Sequence, residues 1–215
     1  MLITFEGIDG SGKSTQAHLL IERLRQSGRV PLLVREPGGT EVSERIRSIL
    51  LEPGLHIVPF AEMLLFSAAR AQLVAEVIQP AIANGQIVIC DRFYDSTTAY
   101  QGGGRGVENP EWIRSFNNRV TGGLVPDRTY YFDISPEVAY DRRHQRNTAT
   151  TAGEDRLESA GIAFYERVRK AYLDLNRAEP DRILVLDGSE SIESLHQKVW
   201  DDVSDLLKEE GGTLP

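Results

Sequence analysis

Short apolar runs rich in β-branched residues recur along the chain at 2–6, 30–35, 87–91, 129–134 and 183–187. Between them the apolar positions switch to helical spacing. Residues 15–26 carry Leu19, Leu20 and Leu24, 42–51 carry Ile46, Ile49 and Leu50, and 60–82 carry Met63, Phe66, Leu73 and Val77. The last of these ends near Asn84-Gly85, a helix-stop signal. A shorter helix is expected at 110–120, and another at 136–146, where Pro136 follows Ser135 at a first-turn position. Helices at 157–178 and 192–209 close the series. Strands alternating with helices predict an α/β fold with a doubly wound parallel sheet. No repeat or linker divides the chain, so one domain over 1–208 is expected, with 209–215 as a frayed tail.

The turn after the first strand changes the picture. Gly7-Ile8-Asp9-Gly10-Ser11-Gly12-Lys13-Ser14 has the spacing G-x-x-x-x-G-K-S, between the run Leu2-Ile3-Thr4-Phe5 and the helix that includes Thr15. Strand, glycine-rich loop and helix N-terminus together form a phosphate-binding loop. Its backbone N–H groups curl around an anion and the helix adds its positive end. Lys13 supplies charge for the β- and γ-phosphates, and Ser14 a hydroxyl for Mg²⁺. The chain is therefore expected to bind a nucleoside triphosphate.

Composition narrows the classes further. The chain has 215 residues, 40% of them hydrophobic and 26% charged, which suits one globular α/β domain. A net charge of −8 disfavours nonspecific attraction to nucleic acid or anionic membrane. The single cysteine, Cys90, excludes an internal disulfide and reads as a small buried hydrophobe. No apolar stretch approaches membrane-spanning length and no secretory signal opens the sequence, so the cytoplasm is the default location.

A second set of polar groups falls where strands end, the usual ligand edge of such sheets. Asp91-Arg92 closes the third run, and Asp91 is placed to hold Mg²⁺ water or else to cap a helix. Asp9 lies inside an anion-binding loop, so it needs Mg²⁺ or a sugar hydroxyl as partner unless it turns to solvent. Phe66 and Arg70 share a helix face, suited to stacking on a flat ring and bonding its edge, or to core and surface roles. The stretch 95–106, with Ser96, Thr97, Tyr100, Gln101 and Gly102-Gly103-Gly104, suggests a loop closing on something small. Arg142, Arg143 and Arg146 precede a small polar span and Asp155-Arg156-Leu157-Glu158. That is the pattern of a lid over phosphates at about 142–156, or of a solvated helix face.

These residues converge on one family. The chain resembles the thymidylate kinases from Met1 to about Leu207. The resemblance is carried by Phe5-Glu6-Gly7, Arg35-Glu36-Pro37-Gly38-Gly39-Thr40, Asp91-Arg92-Phe93, Ser96-Thr97-Thr98-Ala99-Tyr100-Gln101-Gly102 and Asp155-Arg156-Leu157-Glu158. It implies a P-loop kinase fold with a five-stranded parallel sheet and a short lid, a homodimer, and transfer of the γ-phosphoryl of ATP to dTMP. By the same resemblance ATP lies on residues 7–15 (Gly7, Ile8, Asp9, Gly10, Ser11, Gly12, Lys13, Ser14 and Thr15) and on Arg143. The nucleotide acceptor is expected at Asp9, Glu36, Pro37, Phe66, Arg70, Arg92, Ser96, Thr97, Tyr100 and Gln101. Phe66 would stack on thymine, Arg70 meet its O4, Thr97 lie by the base edge and Tyr100 against the deoxyribose. Catalytic charge is assigned to Lys13, Arg92, Arg142 and Arg146, and the metal to Ser14, Asp91 and Glu158.

The expected chemistry follows. A phosphate monoester with its second pKa about 6 is already largely ionised near neutrality, so no general base is needed. The task is to align two anions and neutralise them. A deoxynucleoside kinase, which would need a base such as Glu36 near a sugar hydroxyl, is the nearest rival. A nucleotide-dependent switch is the rival from another class, and the Asn-Lys-x-Asp motif of a GTPase is missing from the sequence.

Overall fold

A computed structural model describes residues 1–150, 156 and 160–209, the side chains of 146–150 and 209 excepted. Five parallel strands form the sheet: β1 (Leu2–Glu6), β2 (Leu32–Arg35), β3 (Val88–Asp91), β4 (Arg128–Asp133) and β5 (Ile183–Asp187). Their order is β2-β3-β1-β4-β5, which puts β1 at the centre. All five correspond to runs expected from the sequence. β2 begins two residues late because Pro31 has no N–H for the ladder and Val30 is exposed.

Helices cover both faces. They are α1 (Lys13–Gln26), α2 (Glu41–Leu51), α3 (Pro59–Leu73), α4 (Gln79–Ala83), α5 (Tyr94–Thr97), α6 (Pro110–Val120), α7 (Pro136–Thr150), α8 (Ile162–Ala178) and α9 (Ile192–Glu209). The helix expected over 60–82 is relaxed by one π-helical turn at Val74–Ile78 between α3 and α4. The helix expected from 157 begins at Ile162, and 157–159 lie outside the described residues.

Alternation along β1 sorts its side chains. Ile3 and Phe5 join Leu20, Leu24, Val199 and Val203 in the core beneath α1 and α9. Leu2 points to the opposite face, where β3 meets α3 and the π-helical turn after it through Val88, Cys90, Leu73 and Ile78. Thr4 and Glu6 follow Leu2 by the period of two. Thr4 shares a 2.7 Å hydrogen bond with Thr129 of β4. Cys90 is fully buried and packs as the small hydrophobe expected.

One expectation is corrected. The stretch 95–106 is not an open loop: α5 runs into a π-helical segment, Thr98–Gly104, that packs along α8. Gly103 explains why. A side chain there would collide with the Ala171 Cβ of α8, so the glycine serves helix-to-helix approach rather than flexibility.

Candidate active site

Parallel strands in this register finish together. Phe5 pairs with Asp91, Arg35 with Asp91 and Asp133 with Asp187, so the loops after them share one edge. The phosphate-loop residues Gly7–Thr15 occupy its middle. Gly12 caps α1 with φ 94°, a left-handed turn that a Cβ would strain, and nothing lies within 4 Å of where that Cβ would stand. The mouth of α1 is thus open to a ligand while its first N–H groups lack helical partners.

Two cations converge on Asp9. Lys13 Nζ donates to Asp9 Oδ1 at 3.0 Å, and Arg92 Nη2 donates to the same oxygen at 2.8 Å. Burial works to raise the Asp9 pKa, but the Arg92 and Lys13 charges outweigh it and hold the carboxyl far below the usual range. The electrostatic oddity of an acid in this loop is thereby resolved without a ligand.

Arg92 is held in a costly shape. Its φ is 74°, alone among the described non-glycine residues in being positive. Such a conformation costs about 1–3 kcal/mol and needs support from its surroundings. The guanidinium donates to Ser96 Oγ at 3.2 Å and to the Tyr100 hydroxyl at 3.1 Å, and lies over the Tyr100 ring.

Arg70 is fully buried, and its three nitrogens all have partners. Nε donates to Glu36 Oε2 at 2.7 Å, Nη1 to Thr97 Oγ1 at 2.7 Å, and Nη2 to the Phe93 carbonyl at 3.1 Å. Burial raises the Glu36 pKa, with the Arg70 charge opposing. Glu36 Oε1 is buried and has no hydrogen-bond partner. Phe66, one turn before Arg70 on α3, is half-buried and belongs to none of the three core clusters. The Pro37 carbonyl accepts from Arg35 and Arg47 at 3.0 Å each, which ties the 36–40 turn to α2.

Ser14 Oγ donates to Asp91 Oδ2 at 2.5 Å, and Asp91 Oδ1 is buried without a partner. A hydroxyl and an under-satisfied carboxylate at the loop's edge are hard oxygen donors, the set that Mg²⁺ takes. The residues present therefore fit that ion. Glu158, the third residue expected at the metal, lies outside the described residues, as does the side chain of Arg146.

The other arginines of α7 reach the loop. Arg142 Nη1 donates to the Gly188 carbonyl at 2.9 Å and to that of Gly10 at 3.4 Å. Arg143 Nη1 donates to the Asp9 carbonyl at 3.4 Å and its guanidinium lies 4.8 Å from the Tyr165 ring centroid. Beside them a cavity of about 560 Å³ is lined by Ile134, Val138, Val185, Asp187 and Ser189 among others.

Gln101 is drawn elsewhere. It is buried and donates to Glu62 Oε1 of α3 at 3.0 Å, where Arg105 and Arg156 also pair. The periodicity of α3 gives no warning of Glu62, though an acid one turn before Phe66 on an apolar helix is a signal in hindsight.

Glu6 is the second residue that the pattern does not single out. It is fully buried; Oε1 accepts the Phe93 N–H at 2.6 Å, and Oε2 accepts from Ser96 Oγ at 2.6 Å and the Tyr172 hydroxyl at 2.7 Å. Burial and the neighbouring Asp95 raise its pKa from 4.5 to about 7, against the lowering pull of Arg92 and of the Ser96 and Tyr172 hydrogen bonds. A charge closing an otherwise apolar strand is the clue its sequence offers.

Comparison with known proteins agrees across sequence and fold. A family model described as thymidylate kinase matches residues 5–199. The chain is 49% identical over 214 residues to the thymidylate kinase of Chlorobium luteolum, covering 98% of this chain and 100% of that one. It is 44% identical over 205 residues to that of Deinococcus radiodurans, covering 95% of this chain and 97% of that one. The crystal structure of thymidylate kinase from Ehrlichia chaffeensis matches with a TM-score of 0.76 at 35% identity, over 95% of this chain and 98% of that chain.

Proposed function

This chain belongs to the thymidylate kinase family and phosphorylates dTMP with ATP on the way to dTTP, and we propose that the transfer takes place between Lys13 and Arg92. One observation carries the reading. Both cations meet on a single oxygen of Asp9, so a donor phosphate at Lys13 and an acceptor phosphate at Arg92 would be neighbours.

Binding then exchanges partners. The γ-phosphate takes Lys13 and the acceptor phosphate takes Arg92, leaving the Asp9 carboxylate for the sugar 3′-hydroxyl. Residues 7–15 hold the donor phosphates with backbone N–H groups. Arg142 and Arg143 approach from α7, the start of the lid read at 142–156, and add charge where the phosphoryl group transfers. The adenine lies in the cavity between Val138, Asp187 and Ser189. Ser14 and Asp91 would hold Mg²⁺, which would supply positive charge to the donor phosphates.

On the acceptor side Phe66 stacks on thymine. Arg70 trades a present partner for O4 and, as a donor only, discriminates against the amino group of cytosine. Glu36 Oε1, buried without a partner, is an acceptor left open beside Arg70. Thr97 lines the base edge, and Tyr100 occupies the space a 2′-hydroxyl would need. No proton need be removed from the acceptor, whose second pKa is about 6.

The enzyme is further read as a cytoplasmic homodimer. Phe60 and Leu64 share one exposed face of α3, and Phe60 lies against Trp112 of α6 with ring centroids 6.2 Å apart. An exposed aromatic patch of this kind marks an association surface. No described helix is long and apolar enough to cross a membrane.

A coupled assay of ADP release with dTMP and with thymidine tests the central reading. Turnover with dTMP is expected. Turnover of thymidine without turnover of dTMP would overturn it.

A further inference from the structure

The geometry points to Glu6 as the positioning residue of the acceptor side: its carboxylate holds the Arg92 turn in the shape that aims the guanidinium at Asp9 and Tyr100. The inference rests on the reading of Arg92 as holder of the acceptor phosphate.

One backbone angle and four hydrogen bonds carry it. Arg92 has a left-handed backbone at φ 74°, which only its surroundings can sustain. The residue on one side of the peptide that follows is pinned by the Phe93 N–H donating to Glu6 Oε1 at 2.6 Å, while the Arg92 N–H donates to the Phe5 carbonyl at 3.0 Å. Ser96 relays the same grip to the side chain: its hydroxyl donates to Glu6 Oε2 at 2.6 Å and accepts from Arg92 Nη1 at 3.2 Å. β1 thus controls Arg92 from both its penultimate carbonyl and its last side chain.

The negative charge matters because all the neighbours are donors. An ionised carboxylate accepts from Phe93, Ser96 and Tyr172 at once. A protonated or amide group must offer a hydrogen of its own, and the Phe93 N–H cannot accept it. The hydroxyl of Ser96 or of Tyr172 would then have to accept it and give up its own donation to Glu6. The charged or titratable groups around Glu6 are Arg92 itself, Tyr94 and Asp95 on α5, Cys90 on β3 and Tyr172 on α8. Burial and Asp95 bring the Glu6 equilibrium to about 7, so both forms are present near neutrality.

The test uses the full chain, with steady-state kinetics in each nucleotide across pH for wild type, Glu6→Gln, Tyr172→Phe and Arg92→Ala. Glu6→Gln should lose about tenfold to a hundredfold in kcat/KM for dTMP, with KM for ATP within about twofold of wild type. It should also lack the pH inflection expected near 7 in wild type. Tyr172→Phe removes one donor from the carboxylate, so that inflection should move to higher pH, whereas the ionisation of dTMP stays put in every variant. Wild-type kcat/KM and an unaltered inflection in Glu6→Gln, beside an impaired Arg92→Ala, would overturn the assignment of Glu6 alone. Full activity of Arg92→Ala would overturn the reading beneath it. Should Glu6→Gln fail to fold, an unmoved pH profile in Tyr172→Phe overturns the proposal.

Discussion

Ser14 and Asp91, 77 positions apart in the chain, are joined by a 2.5 Å hydrogen bond at the edge of the phosphate loop. The parallel pairing of β1 with β3 brings them together, since it aligns the end of one strand with the end of the other. The Asp91 oxygen left without a partner is what suits this contact to the metal role proposed for it above.

Asp91→Asn should therefore raise the Mg²⁺ concentration needed for half-maximal turnover by about tenfold or more, as loss of a metal-supporting carboxylate does. Titration of the ADP-release rate with Mg²⁺ at fixed ATP and dTMP measures it. An unchanged midpoint would remove Asp91 from the metal site.

Lys13→Ala should lower kcat by about a hundredfold or more, because a fixed charge at the transferring group disappears. The fold should survive, since Asp9 keeps its 2.8 Å contact with Arg92. Pre-steady-state transfer, compared with the circular dichroism of the folded chain, separates the two effects. Wild-type transfer would exclude Lys13 from the mechanism.

Arg70→Ala acts in two ways that need separating. Loss of the base-edge donor should relax the preference for dTMP over dCMP by about 1–3 kcal/mol. The same change strands Glu36 as a buried, unpaired carboxylate at a cost of about 3–5 kcal/mol in stability. The pair Arg70→Ala with Glu36→Gln should recover much of the stability and none of the discrimination. Denaturation midpoints and relative kcat/KM values for the two nucleotides report each term. Restored discrimination in the double variant would show that Arg70 is structural only.

Glu6 sets a stability trend with a definite sign. Its carboxyl is raised from 4.5 to about 7 in the fold, so the folded chain holds the proton more tightly than the unfolded one. The stabilisation is complete below 4.5 and is lost as pH rises through 7, a swing of about 3 kcal/mol for a shift of that size. Urea denaturation across that range should show the decline in wild type and a flatter profile in Glu6→Gln. Parallel profiles would mean that Glu6 does not titrate there.

Phe60→Glu should convert a dimer to a monomer by placing charge on the exposed α3 patch opposite Trp112. Light scattering at micromolar and higher concentration reads the mass directly. A dimer of undiminished affinity would move the interface to another face.

Local signals were the legible ones. The five strands and the Gly7–Ser14 loop declare themselves because each depends on neighbours within a few residues. The Gly102–Gly104 run was misleading for the opposite reason. Gly103 and Gly104 answer to Ala171 and Phe164, about sixty to seventy positions away, and no local pattern reports such a demand. Gln101 shows the same limit: its run of residues reads as a substrate lining, yet its amide is claimed by Glu62. Glu6 was visible as a motif letter but not as a buried hub, since its three donors come from β3's following turn, α5 and α8. Arg142 and Arg143 do reach the loop, whereas the roles expected of Arg146 and Glu158 fall outside the described residues.

The contact of Gly103 with Ala171 lets α8 set where the segment carrying Tyr100 lies. Tyr100 owes its place to a neighbour that has no room to grow. A single methyl group gained at Gly103 would displace the Tyr100 ring as surely as a change among that ring's own neighbours. Tolerance to substitution along the buried side of α8 should therefore track catalysis more closely than its distance from the phosphates suggests.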